Sequence, residues 1–292
     1  MMITDIKYKG NVRNITPFCC DQGLNTPFEE LSKKINIDEL DLKFYPIWYL
    51  IDGEYYFYKQ KLAFNEMFVS ELFRELGLPT PQIIPAFKND FGYDEYGIIS
   101  KNIRKQGYNY EYYSDLMYRI MGLEKFNDAK YHNLFETRDA ICNKLPNGQQ
   151  LYDDLSSLLA ADFFVGQADR TSCNTLIEID KKGNASLAPI TDNGFAFSSV
   201  VSTIYSVLGA HFYAVKGTSQ TLSDLTLFLL LNNKAYRTTI EKCLGINVNQ
   251  ILRRTLRKYE IEISKTEQKE VIDYLSTQQE IIDYTLSLVR RG

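Results

Sequence analysis

The apolar pattern of the chain changes character near residues 103 to 107, and this change constrains the fold more than any other feature. Before it, residues 42 to 100 hold several short runs rich in aromatic and β-branched side chains, which are typical of strands. After it, apolar side chains recur at helical spacing, most clearly over residues 265 to 290. We therefore expect an α+β protein with two lobes, a small β-rich N-terminal lobe at residues 1 to 105 and a larger helical C-terminal lobe at residues 106 to 292.

A β-hairpin is predicted at Asp52-Gly53. Two runs of strand-forming residues, Leu42 to Tyr49 and Tyr55 to Tyr58, flank this dipeptide. Both of its positions tolerate positive φ, as a two-residue hairpin turn requires. The hairpin therefore begins the N-terminal lobe.

A helix and two further strands complete the expected N-terminal lobe. Apolar residues at helical spacing predict the helix over Asn65 to Leu76, and Gly77 is a suitable residue to end it. The runs Ile83 to Phe87 and Gly97 to Ser100 predict the strands. The expected order in this lobe is thus strand, strand, helix, strand, strand.

The C-terminal lobe begins with mixed structure and ends in helices. An apolar-rich helix is predicted over Leu151 to Val165. A second hairpin is predicted from Thr175 to Ile179 and from Ala185 to Ile190, with its turn at Lys181-Lys182-Gly183-Asn184. From residue 222 onward we expect helix to the end of the chain.

Charge and processing signals exclude several classes of protein. The chain carries 33 Lys and Arg against 37 Asp and Glu, a net charge of −4, which argues against general nucleic-acid binding because that requires a basic excess. No apolar run approaches the ~20 residues that span a bilayer. The segment Met1 to Lys9 lacks the features of a secretory signal.

The cysteines and histidines exclude several kinds of site. Five cysteines without a Cys-x-x-Cys pair predict neither a zinc site nor a disulfide framework, so we expect a reduced, cytoplasmic protein. Only His132 and His211 are present, which argues against a His-rich metal site and a Ser-His-Asp hydrolase. The cysteines are Cys19, Cys20, Cys142, Cys173 and Cys243.

Three polar residues around the second hairpin suggest phosphoryl transfer. Asp169 is followed five residues later by Asn174, and Asp192 comes after the hairpin. In that chemistry the first Asp accepts the proton of the attacking hydroxyl, while the Asn and the later Asp hold Mg²⁺ against the triphosphate. Each residue alone would also suit an ordinary turn.

The N-terminal lobe supplies the remaining charged residues in the expected order. Lys59 ends the second strand of the first hairpin, and Glu66 lies at the start of the following helix. A strand Lys that binds phosphates and pairs with a helix Glu completes the kinase arrangement. Lys61 competes with Lys59 for this role. Glu66 has an alternative explanation, because an acidic side chain is favourable in the first turn of any helix.

Three segments resemble the HipA-like bacterial Ser/Thr protein kinases, and most of all their compact CtkA-type members. Tyr55 to Phe87 is similar to the lysine strand and following helix of that family. Ala160 to Asn174 resembles the catalytic loop, and Ala188 to Gly194 resembles the metal-binding segment. The likeness covers roughly residues 45 to 200 and also extends to the Asp-Arg loop of phosphoinositide kinases.

The resemblance implies a two-lobed protein-kinase-like fold, the use of ATP and Mg²⁺, and Ser/Thr phosphorylation of a protein or of the kinase itself. The roles that it implies are as follows: Lys59 on the α- and β-phosphates, Glu66 orienting Lys59, Asp169 as base, Asn174 and Asp192 on Mg²⁺, and Ile99, Ser100, Lys101 and Asn102 as the hinge beside the adenine. Within the family a DNA-binding, antitoxin-like regulator is a frequent partner, and the resemblance implies neither a membrane nor direct nucleic-acid binding.

Two departures from the family pattern keep other functions open. Thr171 stands where the catalytic loop usually has His, and no Gly-rich phosphate loop is recognisable. Cys19 to Gly23 is a degenerate candidate for that loop, although a surface turn suits these residues better. A kinase-shaped binding module without catalysis and a lipid or small-molecule kinase are the alternatives. Ser198, Ser199, Ser202 and Thr203 follow Asp192 closely and are candidate autophosphorylation sites.

Overall fold

A computed structural model describes residues 3, 6–10, 12–16, 20–21, 47–90, 92–122, 134–167, 170, 174–197 and 230–291. The strands are β1 (Lys7–Tyr8), β2 (Arg13–Asn14), β3 (Cys20–Asp21), β4 (Ile47–Ile51), β5 (Glu54–Lys59), β6 (Ile83–Asp90), β7 (Tyr93–Lys101), β8 (Asn109–Tyr112), β9 (Leu176–Ile179), β10 (Ala185–Leu187) and β11 (Ile261–Glu262). The helices are α1 (Ala63–Glu75), α2 (Tyr113–Met121), α3 (Leu134–Lys144), α4 (Gly148–Val165), α5 (Lys234–Leu244), α6 (Val248–Lys258) and α7 (Lys265–Arg291).

A six-stranded sheet, in the order β2-β6-β7-β5-β4-β3, forms the N-terminal part. Its neighbours are antiparallel except for β2 and β6, which run parallel. The β4–β5 connection is the predicted hairpin, and both Asp52 and Gly53 have positive φ, at 52° and 80°. Residues 42 to 46 of the predicted first strand lie outside the described residues.

Helix α1 follows β5 and is buried over most of its length, from Ala63 to Phe73. It ends as the sequence predicts, because Gly77 has a φ of 84° and donates its amide to Arg74 O, while the Leu78 amide donates to Phe73 O. This bonding pattern uses the last free carbonyls of the helix and requires a residue that tolerates positive φ.

A three-stranded sheet, in the order β10-β9-β8, lies in the C-terminal part. The β9–β10 pair is the second predicted hairpin, with Gly183 at positive φ in its turn. Asn147, just before α4, extends this sheet with its side chain, because it donates to Ala185 O at 2.7 Å and accepts from the Ala185 amide at 2.8 Å. The hairpin is therefore fixed to the start of α4.

Helix α4 is central to the C-terminal part, where it packs against α3, α5 and α7. Its buried side chains join those of α1, α2 and α7 in one hydrophobic cluster, so the two parts of the molecule share a core. In the described part of the chain, no helix is both long and apolar enough to cross a bilayer.

The expectation of helical structure from residue 222 to the end agrees with α5, α6 and α7 but is wrong at residues 261 and 262, and residues 222 to 229 lie outside the described residues. Strand β11 separates α6 from α7 and pairs with β1 near the N-terminus, with Lys7 opposite Glu262. The same N-terminal segment pairs through β2 with the six-stranded sheet. Residues 7 and 8 therefore contact the C-terminal part and residues 13 and 14 the N-terminal part, and the lobe boundary at residue 105 stays a prediction.

Candidate active site

Lys59 is the last residue of β5, and its ammonium group contacts two carboxylates. It forms an ion pair with Glu66 in the first turn of α1, and its Nζ lies 2.6 Å from Asp192 Oδ1. The side chain of Glu66 is only 5% exposed, whereas that of Asp192 is 43% exposed. Lys61 is exposed. The structure thus brings together three of the predicted site residues and places Lys59, not Lys61, between the acids.

The start of α1 is bonded directly to the segment that carries Asp192. The Asn193 amide donates to Glu66 Oε2 at 2.9 Å, and Asn65 Nδ2 donates to Gly194 O at 2.7 Å. A Cβ on Gly194 would lie 3.0 Å from the Leu62 side chain, so only glycine allows this approach without a shift of the neighbours. The two segments therefore act as one unit around Lys59.

Asp192 has an unusual backbone conformation, with a φ of 63°. Such a conformation is rare for a residue other than glycine and persists only where the surroundings enforce it. Gln167 Nε2 donates to Asp192 O at 2.9 Å, and Arg170 Nη1 donates to Thr191 O at 2.8 Å. These bonds fix the backbone on both sides of the Asp192 peptide unit and aim its carboxylate at Lys59.

A buried ion pair supports this arrangement. Arg170 Nε lies 3.0 Å from Asp162 Oδ2, and the two side chains are 1% and 0% exposed. Arg170 Nη2 also donates to Asn193 Oδ1 at 2.7 Å. The guanidinium therefore joins the end of α4 to residues 191 to 193.

Sequence reasoning assigned no role to Asp162, Arg170, Asn65 or Gln167. One signal was present, because Asp162 interrupts an otherwise apolar run at the end of α4. A carboxylate in such a run is buried only when it is paired, so its position indicates a cationic partner.

Asn174 and Asp192 lie at the same end of the β9–β10 hairpin, since one precedes the first strand and the other follows the second. Asn174 is partly exposed. Asp169 and Thr171 lie outside the described residues, but Gln167 and Arg170, which flank Asp169, both bond to residues 191 to 193. The roles of Asp169, Asn174 and Asp192 in catalysis stay predictions.

The predicted hinge residues divide between the two faces of the large sheet. Ile98 is paired with Lys59 and Ser100 with Phe57, so Ser100 lies on the Lys59 face, while Ile99 and Lys101 lie on the other. Ser100 Oγ is buried and has no hydrogen-bond partner among the described residues.

The main-chain amides at the end of β7 are already bonded. Lys101 N donates to Gln82 O at 3.0 Å, and Asn102 N donates to Tyr55 O at 2.8 Å. A base at this position would therefore be contacted by carbonyl groups or side chains, and the adenine-binding role of residues 99 to 102 stays a prediction.

The charges of the site stabilise one another. Burial alone would lower the pKa of the Lys59 ammonium, but the charges and hydrogen bonds of Glu66 and Asp192 raise it above its ordinary value. Burial alone would raise the pKa of the Asp192 carboxyl, but Lys59 and then Arg170 bring it below its ordinary value. Both groups of the Lys59–Asp192 pair are therefore charged at neutral pH.

No protein-family model matches the chain, and no curated protein matches it. Among solved structures, it is similar to the Helicobacter pylori proinflammatory kinase CtkA, with a TM-score of 0.68 and 14% identity over 96% of this chain and 98% of that one. The chain has the fold of this kinase. The predicted α+β, kinase-like fold is thus confirmed, and the resemblance seen in three segments extends over nearly the whole chain.

A second solved structure is also similar to the chain. It is the Shewanella oneidensis MR-1 toxin–antitoxin complex of HipA, HipB and operator DNA, with a TM-score of 0.44 and 11% identity over 85% of this chain and 65% of that one.

The donor set around Asp192 limits the kind of ion that the site could hold. Among the described residues, no group of three or more His, Cys, Asp and Glu side chains is placed to hold a metal ion. Mg²⁺ needs only one or two protein oxygens when phosphate and water complete its shell. The partly exposed carboxylate of Asp192 and the amide oxygen of Asn174, which lie at the same end of the β9–β10 hairpin, are oxygen donors of the kind that this requirement allows.

Proposed function

We propose that the protein is an ATP- and Mg²⁺-dependent Ser/Thr protein kinase of the HipA-like type, which phosphorylates a protein substrate or itself. The observation that carries the proposal is the position of Lys59, whose Nζ is bonded to both Glu66 and Asp192 in a chain with the fold of CtkA. Phosphoryl transfer depends mainly on positioning and on charges held near the phosphates, and this cluster offers both.

Lys59 would bind the phosphates of ATP. Its raised pKa keeps it cationic, and its side chain is 22% exposed, so the ammonium can reach a ligand. Glu66 would hold the Lys59 side chain in place, and the Lys59 ammonium would turn from Asp192 towards the phosphates. Asp192 and Asn174 would hold Mg²⁺, which when bound neutralises charge on the triphosphate.

Asp169 would accept the proton of the attacking hydroxyl. The hydroxyl oxygen of a Ser or Thr then bonds to the γ-phosphorus, the bond from that phosphorus to the bridging oxygen breaks, and ADP leaves. The bonds from Gln167 and Arg170 to residues 191 to 193 support this role, because they hold the described residues before and after Asp169 against the segment of Asp192. For the adenine, the buried Ser100 hydroxyl is a candidate contact on the Lys59 face.

The test is transfer of labelled γ-phosphate to the protein itself or to proteins of a lysate, with and without Mg²⁺. We expect transfer by the unaltered protein and none by Asp169→Ala or Asp192→Ala. If the protein binds ATP in the presence of Mg²⁺ but transfers no phosphate, it would instead be a binding module without catalysis. Labelling confined to a protein-free fraction would select a lipid or small-molecule kinase. A cytoplasmic location and an antitoxin-like regulator stay predictions of the same resemblance.

A further inference from the structure

A second buried carboxylate lies on α1, away from the Lys59 cluster. The side chain of Glu71 is 4% exposed, and its Oε1 accepts hydrogen bonds from Lys258 Nζ at 2.6 Å and from Tyr259 Oη at 2.9 Å. Arg74, one turn further along α1, also donates to Glu71 Oε1. Two of the three donors thus come from the end of α6, in the C-terminal part of the molecule.

These contacts keep Glu71 ionised. Burial alone would raise its pKa, but the bonds from Lys258, Arg74 and Tyr259 bring it below its ordinary value. Breaking the hydrogen bonds of a buried carboxylate to charged or hydroxyl donors costs free energy, because the carboxylate is then left as a desolvated charge without partners. The contact between α1 and α6 is therefore strong where Glu71 lies.

Glu66 and Glu71 face different parts of the molecule. Five residues along a helix correspond to a rotation of about 140° and a rise of about 7.5 Å. Glu66 is accordingly bonded to Lys59 and the Asn193 amide, while Glu71 is bonded to the end of α6. One end of α1 thus contacts the candidate active site, and its middle is fixed to α6.

A second ion pair joins the same two helices but differs in exposure. Arg254 Nη2 of α6 lies 2.8 Å from Glu75 Oε2 of α1, and the two side chains are 43% and 48% exposed. Exposed pairs of this kind contribute little, about 0–1 kcal/mol. The interface therefore contains a buried contact and a matched exposed one, which can be removed separately.

We propose that Glu71 is a positioning residue, which through Lys258 and Tyr259 anchors α1 to α6 and so keeps Glu66 on Lys59. The catalytic consequence rests on the proposed kinase function, whereas the placement of Lys59 does not. It follows that the position of Glu66 on Lys59 depends on a contact made within the chain, between α1 and the end of α6.

The first experiment measures how readily the Lys59 amine is acylated at pH 8, by mass spectrometry of the folded protein. Glu66→Gln removes one of the two carboxylates that contact Lys59 and serves as the reference variant. We expect its Lys59 to be acylated about tenfold faster, because a pKa that is lower by one unit gives about ten times more neutral amine. Glu71→Gln should approach that value, since α1 is no longer anchored. Lys258→Met should shift acylation in the same direction, and Arg254→Met should leave it at the unaltered rate.

Two results would overturn the anchor. One is an unaltered acylation rate in both Glu71→Gln and Lys258→Met while Glu66→Gln is fast. The other is an equal rise in Lys258→Met and Arg254→Met, which would mean that any damage to the α1–α6 interface has this effect. Lys258 is half exposed, so Lys258→Met is expected to fold even if Glu71→Gln does not.

The second experiment is a double-mutant cycle on phosphoryl transfer. Glu71→Gln should lower kcat by about tenfold, since small displacements of a catalytic group have effects of this size or larger. If Glu71 acts through Glu66, the Glu66→Gln/Glu71→Gln variant should be no slower than Glu66→Gln alone. If the two substitutions lower kcat independently, so that their fold-changes multiply in the double variant, Glu71 acts by a route other than Glu66. If even the unaltered protein transfers no phosphate, the kinase proposal fails while Lys59 acylation still decides the anchor.

Discussion

Lys59 Nζ lies 2.6 Å from Asp192 Oδ1, although 133 residues separate the two in the chain. The contact joins the last residue of β5 to the segment after β10, so the large sheet and the second hairpin meet at this pair. Glu66 on α1 contacts both sides of it, through the Lys59 ammonium and the Asn193 amide. The pair is thus the point where the two parts of the fold form one candidate site.

Replacement of Asp192 by Asn tests this point with little change in shape. Asn tolerates the left-handed backbone conformation of Asp192, so the fold should be retained. We expect phosphoryl transfer to fall by about 10²–10³-fold, the size found when a charge-stabilising group is removed from an active site. Asp192→Ala should fall as far and also lower the melting temperature. If Asp192→Asn transfers phosphate at a rate within about twofold of the unaltered protein, Asp192 has no role in phosphoryl transfer.

The dependence of stability on pH follows from the two pKa shifts. The lowered pKa of Asp192 contributes stability that is present above the ordinary carboxyl value of about 3.9 and is lost as pH falls through the lowered value. The raised pKa of Lys59 contributes stability that is present below about 10.4 and is lost as pH rises through the raised value.

The free energy lost in Lys59→Met should therefore be constant between about pH 6 and about pH 9. Urea denaturation of both proteins across that range measures it. A loss that changes steadily with pH inside the range would show that the pair is not fully charged there. Lys61→Met is the matched control, because Lys61 is exposed, and it should change stability little at any of these pH values.

The buried Asp162–Arg170 pair should be the most sensitive ion pair among those described here. Asp162→Asn leaves the Arg170 charge buried without a carboxylate, which costs roughly 3–5 kcal/mol in the free energy of unfolding. Glu262→Gln removes the exposed Lys9–Glu262 pair and should cost no more than about 1 kcal/mol. Urea denaturation separates the two cases, and equal costs would contradict the burial of the Asp162 pair.

Local chemistry explains which parts of the fold the sequence could predict. The Asp52-Gly53 turn and the end of α1 at Gly77 were predicted because each depends on the positive φ of neighbouring residues. The sequence assigned the phosphate-binding role to Lys59, but the local pattern could not exclude Lys61, because that depends on the pairing of Lys59 with Ile98 in β7.

Long-range pairing accounts for what was missed. Strands β1 and β11 contain two residues each and pair across almost the whole length of the chain, so neither has a period that could be seen. The Asp162–Arg170 pair depends on the end of α4 meeting the next loop, and its one visible signal was a charge in an apolar run. Lys59, Glu66 and Asp192 were predicted to share a site and lie together, whereas no role was predicted for Asp162 and Arg170, which hold this segment in place.

Gly166, which ends α4, is restricted in two separate ways. Its φ is 62°, and a Cβ at this position would overlap the hydroxyl of Tyr274 on α7, whose ring packs edge-on against Phe197. Gly77 has a φ of 84° but open space around it. Gly77→Ala should therefore cost only the backbone strain, about 1–2 kcal/mol, and Gly166→Ala should cost clearly more.

The Tyr274→Phe background separates the two restrictions. Loss of the hydroxyl removes most of the overlap but leaves the backbone strain, so Gly166→Ala in that background should cost about as much as Gly77→Ala. Because the Gly166 segment leads into the loop that carries Asp169, phosphoryl transfer should recover together with stability. If Gly166→Ala costs the same with and without the Tyr274 hydroxyl, the backbone conformation alone requires glycine there.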